Sequence, residues 1–173
     1  MVTHDQFKLI NAFIFDIDGV LTDGSVLVLE NGLQARRMSI RDGYALQLAV
    51  KSGYHVMVIS GSGPSPVIDR LVKLGINDVN MEVLDKRAFI GSYIKKHGLK
   101  KEQVLYMGDD VPDLAAMSVV GVAACPADAA SEILEIADYI SPINGGHGCV
   151  RDVIETVLKL NGHWKYLQDV ASR

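Results

Sequence analysis

Phe13-Ile14-Phe15-Asp16-Ile17-Asp18-Gly19-Val20-Leu21-Thr22-Asp23-Gly24 is the stretch on which the fold turns. The residues from Ala12 to Asp16 are apolar until the last and rich in β-formers, which predicts a buried strand ending on a carboxylate. Asp18 adds a second carboxylate. Gly19 and Gly24 mark points where the backbone turns sharply or approaches something closely. Two partly desolvated carboxylates lose hydration and repel each other unless a cation, a donor set or a shared proton relieves them. The stretch therefore asks for a ligand. One Asp leaving a strand is ordinarily no more than the start of a loop, but D-x-D-G-V-x-T-D-G directly after a buried strand is far more specific.

Working outward, the same arrangement returns at Val104-Leu-Tyr-Met-Gly108, an apolar run that leads into Asp109 and Asp110. Between the two, Tyr54 to Ile59 predicts a buried strand ending at Ser60-Gly61-Ser62-Gly63, and Asp78 to Met81 a short one. Gly121 to Ala124 and Tyr139-Ile140 complete the strands. Helices are predicted from about Gly43 to Ser52 with Asp42 as cap and Gly53 as stop, and from the Pro64/Pro66 turn to Leu74. Others run from Asp85 to His97 and through Pro112 to Ser118 and Ser131 to Ala137, and a last one carries the stripe Val150, Val153, Ile154, Val157 and Leu158. Asn31-Gly32 between two extended runs signals a β-hairpin over about 25–40. Met1 to Asn11 reads as a short lead-in able to dock through Phe7, Leu9 and Ile10, and the tail from about His163 to Arg173 has no period. Strands alternating with helices predict one α/β domain over residues 1–173: a Rossmann-like open parallel sheet with helices on both faces and a projecting hairpin.

The 173 residues suffice for one full core. Twenty-one acidic against seventeen basic residues, a net charge of −4, and no basic run argue against a nucleic-acid partner. The two cysteines, Cys125 and Cys149, form neither a C-x-x-C pair nor a disulfide framework. No run approaches the roughly 18 apolar residues that cross a bilayer. The amino terminus lacks a signal-peptide pattern. A cytoplasmic protein with no membrane partner is expected.

In an open parallel sheet, ligands bind beyond the carboxyl ends of the strands. Asp16 and Asp18, Ser60, Lys86, and Asp109 and Asp110 each follow a predicted strand, so all should share one rim, with Asp113 a turn further on. Such a gathering of acids needs a hard cation, and oxygen-only ligands at this charge density point to Mg²⁺. Mg²⁺ with a hydroxyl and an ammonium is the equipment of phosphoryl transfer. Singly, each member is unremarkable: Ser60-Gly61 is ordinarily a turn, and a lone Lys86 at a helix start a solvated charge. Their order and strand placement make the signal.

Together these residues resemble the four signatures of the haloacid dehalogenase superfamily of phosphotransferases. The resemblance implies Asp16 as nucleophile, forming an aspartyl phosphate, and Asp18 as the acid that protonates the leaving oxygen and later activates water. It implies Ser60 and Gly61 as phosphate-holding groups, Lys86 as the cation pairing phosphate with nucleophile, and Mg²⁺ on Asp16, Asp109 and the backbone carbonyl of Asp18. Asp110 and Asp113 would support them. Larger members insert a cap domain after the first signature or between the second and third. Here the first place has room only for the hairpin and the second only for a short link, so no cap is expected.

That shape, with Arg41-Asp42-Gly43-Tyr44, Tyr106-Met-Gly-Asp-Asp110 and Gly145-Gly-His-Gly-Cys-Val-Arg151-Asp152, resembles the 3-deoxy-D-manno-octulosonate 8-phosphate phosphatases of lipopolysaccharide biosynthesis. The resemblance implies a homotetramer in which a neighbouring subunit closes each site, and a phosphorylated sugar acid as substrate. Two positions depart from the family pattern. Ser62-Gly63-Pro64 stands where an Arg is usual, and Met81-Glu82 where Gln-Gly often precedes the Lys. Arg41, Arg70 or Lys73 could replace the missing guanidinium, or the substrate could be a nine-carbon sugar acid 9-phosphate. His147 and Arg151 invite a substrate-binding role, against which Arg151 could merely hold the last helix. A receiver-type signalling domain uses similar groups but places its acid and Lys after other strands, and a non-catalytic oligomerisation module would not need the full acidic set.

Overall fold

The computed structural model describes residues 2–165 and 170; most of the tail expected from about His163 to Arg173 lies outside them. A short helix α1 (His4–Lys8) leads into the buried strand β1 (Ala12–Phe15), and β2 (Leu27–Val28) and β3 (Gln34–Ala35) form the hairpin. Then come α2 (Ile40–Lys51), β4 (His55–Ile59), α3 (Val67–Lys73), β5 (Asp78–Asn80), α4 (Lys86–Lys96) and β6 (Val104–Met107). The chain continues through α5 (Leu114–Met117), β7 (Val122–Cys125), α6 (Ser131–Ile136), β8 (Tyr139–Ile140) and α7 (Cys149–Leu160). The main sheet has six strands in the order β5-β4-β1-β6-β7-β8. Every pairing in it is parallel.

Alternation along β1 explains the two layers. Phe13 and Phe15 face a core shared with Leu46 and Leu48 of α2 and with Val153, Ile154 and Val157 of α7. Ala12 and Ile14 face the opposite core with Ile90 and Tyr93 of α4, Met117 and Ile133. A sheet buried on both faces needs strands that are apolar at every position, and β1 and β6 are buried throughout. Among the described residues no helix is long and apolar enough to cross a membrane.

The ladder continues past the strand ends. The amide of Asp16 donates to the Met107 carbonyl at 3.0 Å, and that of Ser60 to the Asn80 carbonyl at 2.9 Å. The catalytic candidates are therefore fixed by backbone bonds to the sheet. The loop before α7 lies directly on the acidic loop: the Gly146 amide donates to the Val20 carbonyl at 2.9 Å. A Cβ at Gly145 would overlap the Gly19 carbonyl oxygen, so that close approach requires glycine.

Two expectations are corrected, and the expected hairpin is present. Ser39, not Asp42, caps α2, accepting the Asp42 amide at 3.4 Å. Asp42 is instead buried in the first turn, where its Oδ1 accepts the Arg151 amide at 2.7 Å and ties α2 to the start of α7. Met1 to Asn11 is more than a lead-in: a Thr3/Gln6 capping box starts α1, and Phe7 and Ile10 dock while Leu9 stays exposed. The hairpin is a narrow ribbon of two residue pairs, Leu27 with Ala35 and Val28 with Gln34, above an isolated bridge between Thr22 and Met38.

The second oxygen of Asp42 is buried without a hydrogen-bond partner among the described residues. Burial pushes its carboxyl from the ordinary 3.8 up to about 6, against the pull of the Arg151 amide and charge and of His147. A carboxyl raised in the folded state contributes stability that is complete below about pH 4 and is lost as pH rises through about 6. That loss amounts to at most ~3 kcal/mol. Asp42→Asn cannot titrate, so the stability of the wild type relative to this variant should fall by up to that amount between about pH 4 and pH 7. Urea unfolding midpoints across the range check it, and a constant difference would contradict it.

Candidate active site

The first carboxylate, Asp16, ends β1 with its Oδ1 accepting the Ile17 amide at 2.8 Å and its Oδ2 3.0 Å from the Lys86 ammonium. Lys86 opens α4 because Asp85 caps that helix, accepting the Ala88 amide at 2.9 Å. Its Nζ also lies 2.7 Å from Asp113 Oδ1. Burial alone would lower the Lys86 pKa, but Asp16 and Asp113 outweigh it and hold the group above its ordinary value, charged.

Asp113 is almost fully buried, and its donors account for it. Oδ1 accepts from Lys86 and from the Tyr106 hydroxyl at 2.5 Å, while Oδ2 accepts the Asp109 amide at 2.9 Å and the Asp110 amide at 3.4 Å. It thus fixes both the ammonium and the loop carrying Asp109. A Cβ at Gly108 would overlap it.

Asp18 lies beyond a tight turn in which Gly19 takes φ +76° and the Thr22 hydroxyl accepts the Gly19 amide at 3.3 Å. Both of its oxygens are held: Oδ1 by Arg36 Nε at 2.7 Å and Oδ2 by the Ser62 hydroxyl at 2.7 Å. Ser60 is buried, and its hydroxyl accepts the Ser62 amide at 3.0 Å. Asp16, Asp18, Ser60, Ser62, Lys86 and Asp113 line one cavity of about 420 Å³ together with Gly61, Asp109 and Asp110.

Carboxylate oxygens of Asp16, Asp109 and Asp113 can lie within 4.8 Å of one another. Burial, then the charge of Asp113, push Asp16 to about 6, with Lys86 and the Ile17 amide opposing. Burial and the charges of Asp113, Asp16 and Asp110 push Asp109 to about 7, with Lys86 opposing. Such a set fits a hard divalent cation, which would relieve the repulsion. Asp113 is saturated by its four donors, so Asp16 and Asp109 are the side chains open to an ion.

The structure thus brings Asp16, Asp18, Ser60, Gly61, Lys86, Asp109, Asp110 and Asp113 to one cavity, and leaves Arg41, Arg70, Lys73, His147 and Arg151 outside it. Arg41 and Arg151 line a neighbouring cavity beside His147. Arg151 pairs with Glu155 within α7 at 3.0 Å, and its guanidinium lies over the Tyr44 ring of α2 and the Trp164 ring. Three participants had no role assigned from sequence: Tyr106, Ser62 and Arg36. Tyr106 sits in the strand that leads to Asp109 and was legible as part of that motif. Arg36 depends on how the hairpin folds back, which no local pattern reports.

Comparison with known proteins points to one family. Residues 72–154 match the family model of haloacid dehalogenase-like hydrolases. The chain is 35% identical to the 3-deoxy-D-manno-octulosonate 8-phosphate phosphatase of Escherichia coli K12 over 153 residues, covering 88% of this chain and 81% of that one. The crystal structure of the Yersinia pestis phosphatase of the same name superimposes with a TM-score of 0.89 at 31% identity, covering 92% of this chain and 86% of that one. That of the Moraxella catarrhalis enzyme, in complex with a magnesium ion, a phosphate ion and 3-deoxy-D-manno-octulosonate (KDO), does so at 0.87 and 31%, covering 91% and 90%. The chain belongs to the haloacid dehalogenase-like hydrolases and, within them, to the family of the 3-deoxy-D-manno-octulosonate 8-phosphate phosphatases.

Proposed function

We propose that the chain is a Mg²⁺-dependent phosphatase that hydrolyses 3-deoxy-D-manno-octulosonate 8-phosphate through an aspartyl phosphate on Asp16. The observation that carries this reading is the Asp16–Lys86–Asp113 ion triad beside Asp109, on a chain related to phosphatases of that substrate. Lys86 neutralises the nucleophile and the incoming phosphate, while the Ser60 hydroxyl and neighbouring amides hold a phosphate oxygen. An Asp16 oxygen attacks phosphorus, the ester P–O bond breaks, and Asp18 gives its proton to the leaving sugar oxygen. In the second half Asp18 takes a proton from water, whose oxygen attacks the same phosphorus and releases Asp16 and inorganic phosphate. Asp16, Asp109 and the backbone carbonyl of Asp18 would hold Mg²⁺, which would supply charge neutralisation to the phosphate.

The hairpin supports a homotetramer. Leu27 is 62% exposed, Val28 66% and Leu33 62%, an apolar strip on a ribbon too narrow to be stable alone. A second copy burying it would also wall the open cavity, beside which Leu84 stands 95% exposed.

Asp16→Asn should fold normally yet lose turnover by orders of magnitude in a phosphate-release assay, and ordinary turnover would remove Asp16 as nucleophile. A wild type that releases no phosphate would favour a non-catalytic module. EDTA should arrest hydrolysis and Mg²⁺ restore it. A Cβ at Gly19 would overlap the Asp109 carboxylate, so Gly19→Ala should displace that ligand and reduce turnover about a hundredfold, with the Mg²⁺ concentration for half-activity raised. Leu27→Lys with Val28→Lys should convert the multimer to smaller species in analytical ultracentrifugation; an unchanged mass would exclude the hairpin as the interface.

A further inference from the structure

Arg36 connects two cavities. Its Nε bonds Asp18 of the acidic one, and its side chain lines a second, of about 420 Å³, between the hairpin base and the start of α3. Met38, Ile40, Pro66 and Val67 make that second cavity largely apolar, and none of its lining residues is acidic.

The first cavity holds Asp16, Asp18, Asp109, Asp110 and Asp113. A doubly charged phosphate is accepted there only because Lys86 and a bound cation offset the acids, so a second anionic group on the same substrate is repelled from it. A sugar acid carries such a group at the end opposite its phosphate. Asp18 borders the acidic cavity, and the guanidinium bonded to it there is that of Arg36, only 15% exposed. A guanidinium offers five donors. In Arg36 a single one, on Nε, is engaged, and the remaining four bond nothing among the described residues.

Resting on the reading of the substrate as a phosphorylated sugar acid, we propose that the second cavity is the subsite for the carboxylate-bearing end, and that Arg36 is its specificity-determining residue. Arg36 pairs with Asp18 in the free enzyme and turns its guanidinium to the substrate carboxylate in the complex, and Ser62 keeps its bond to Asp18. The apolar wall takes the 3-deoxy carbon. Recognition of the acid is thereby placed on the hairpin, not on the sheet.

The test compares two esters on one enzyme: 3-deoxy-D-manno-octulosonate 8-phosphate and arabinose 5-phosphate, which lacks a carboxylate. Arg36→Met should lower kcat/KM for the sugar acid about a hundredfold more than for the pentose ester, chiefly through KM, and Arg36→Lys should recover part of the difference. The free sugar acid should also inhibit Arg36→Met far more weakly than the wild type. Equal losses on both esters would reduce Arg36 to a positioning residue for Asp18, and no loss would remove it altogether; either overturns the proposal. A wild type that hydrolyses arabinose 5-phosphate but not the sugar acid would instead overturn the substrate reading on which it rests.

Discussion

A buried ammonium between two carboxylates is the constraint on which the rest depends. Lys86 lies 3.0 Å from Asp16 and 2.7 Å from Asp113, nearly without solvent. An unpaired charge there would be several kcal/mol uphill, so the ammonium is tolerated only while both acids stay in place. Each comes from a different part of the sheet: Asp16 from the end of β1, Asp113 from the turn after β6, Lys86 from the helix after β5. Parallel pairing of β1 with β6, and of β4 with β1 and β5, brings the three strand ends to one rim. The triad therefore works as a check on the fold, because a slip in β1 would reverse its faces and carry Asp16 away from Lys86.

The same cluster is incomplete without a cation. Asp113 has four donors, whereas Asp16 and Asp109 remain partly desolvated beside it and are pushed to about 6 and about 7. Near neutral pH such a pair binds protons more readily than ordinary carboxylates, unless a divalent ion takes their place. The protein has assembled repulsion in advance, and a divalent cation resolves it. Pre-built electrostatics of this kind is what phosphoryl transfer requires, since charge and not covalent difficulty dominates its barrier.

Much of this was legible in the sequence because it is local. Ala12–Asp16, Val104–Asp109 and Ser60 declare themselves as apolar runs ending in a polar group, and the βα alternation orders them along one edge. Asp42 was misread for the same reason. Its position before an apolar stripe is that of a cap, but Ser39 starts the helix earlier and Asp42 is taken by the amide of Arg151, far along the chain. The position of Arg151 rests on the packing of α7 against Tyr44 and Trp164, and that of Arg36 on the path of the hairpin. Contacts between elements distant in sequence carry no periodic signature.

The hairpin shows what replaces a cap. Among the described residues nothing covers the acidic cavity, and an open phosphatase would act on many phosphate esters unless selectivity came from elsewhere. The ribbon bears an exposed apolar strip at its outer end and Arg36 at its base. On the proposed assembly, the element that recruits a neighbour is the one that reads the substrate. Burying the strip would fix a ribbon of only two residue pairs, and a fixed ribbon holds a guanidinium better than a mobile one. Association and selectivity would then be coupled through Arg36: the solitary chain would keep its acidic cavity, seated on the rigid sheet, but hold the carboxylate-binding arm less firmly.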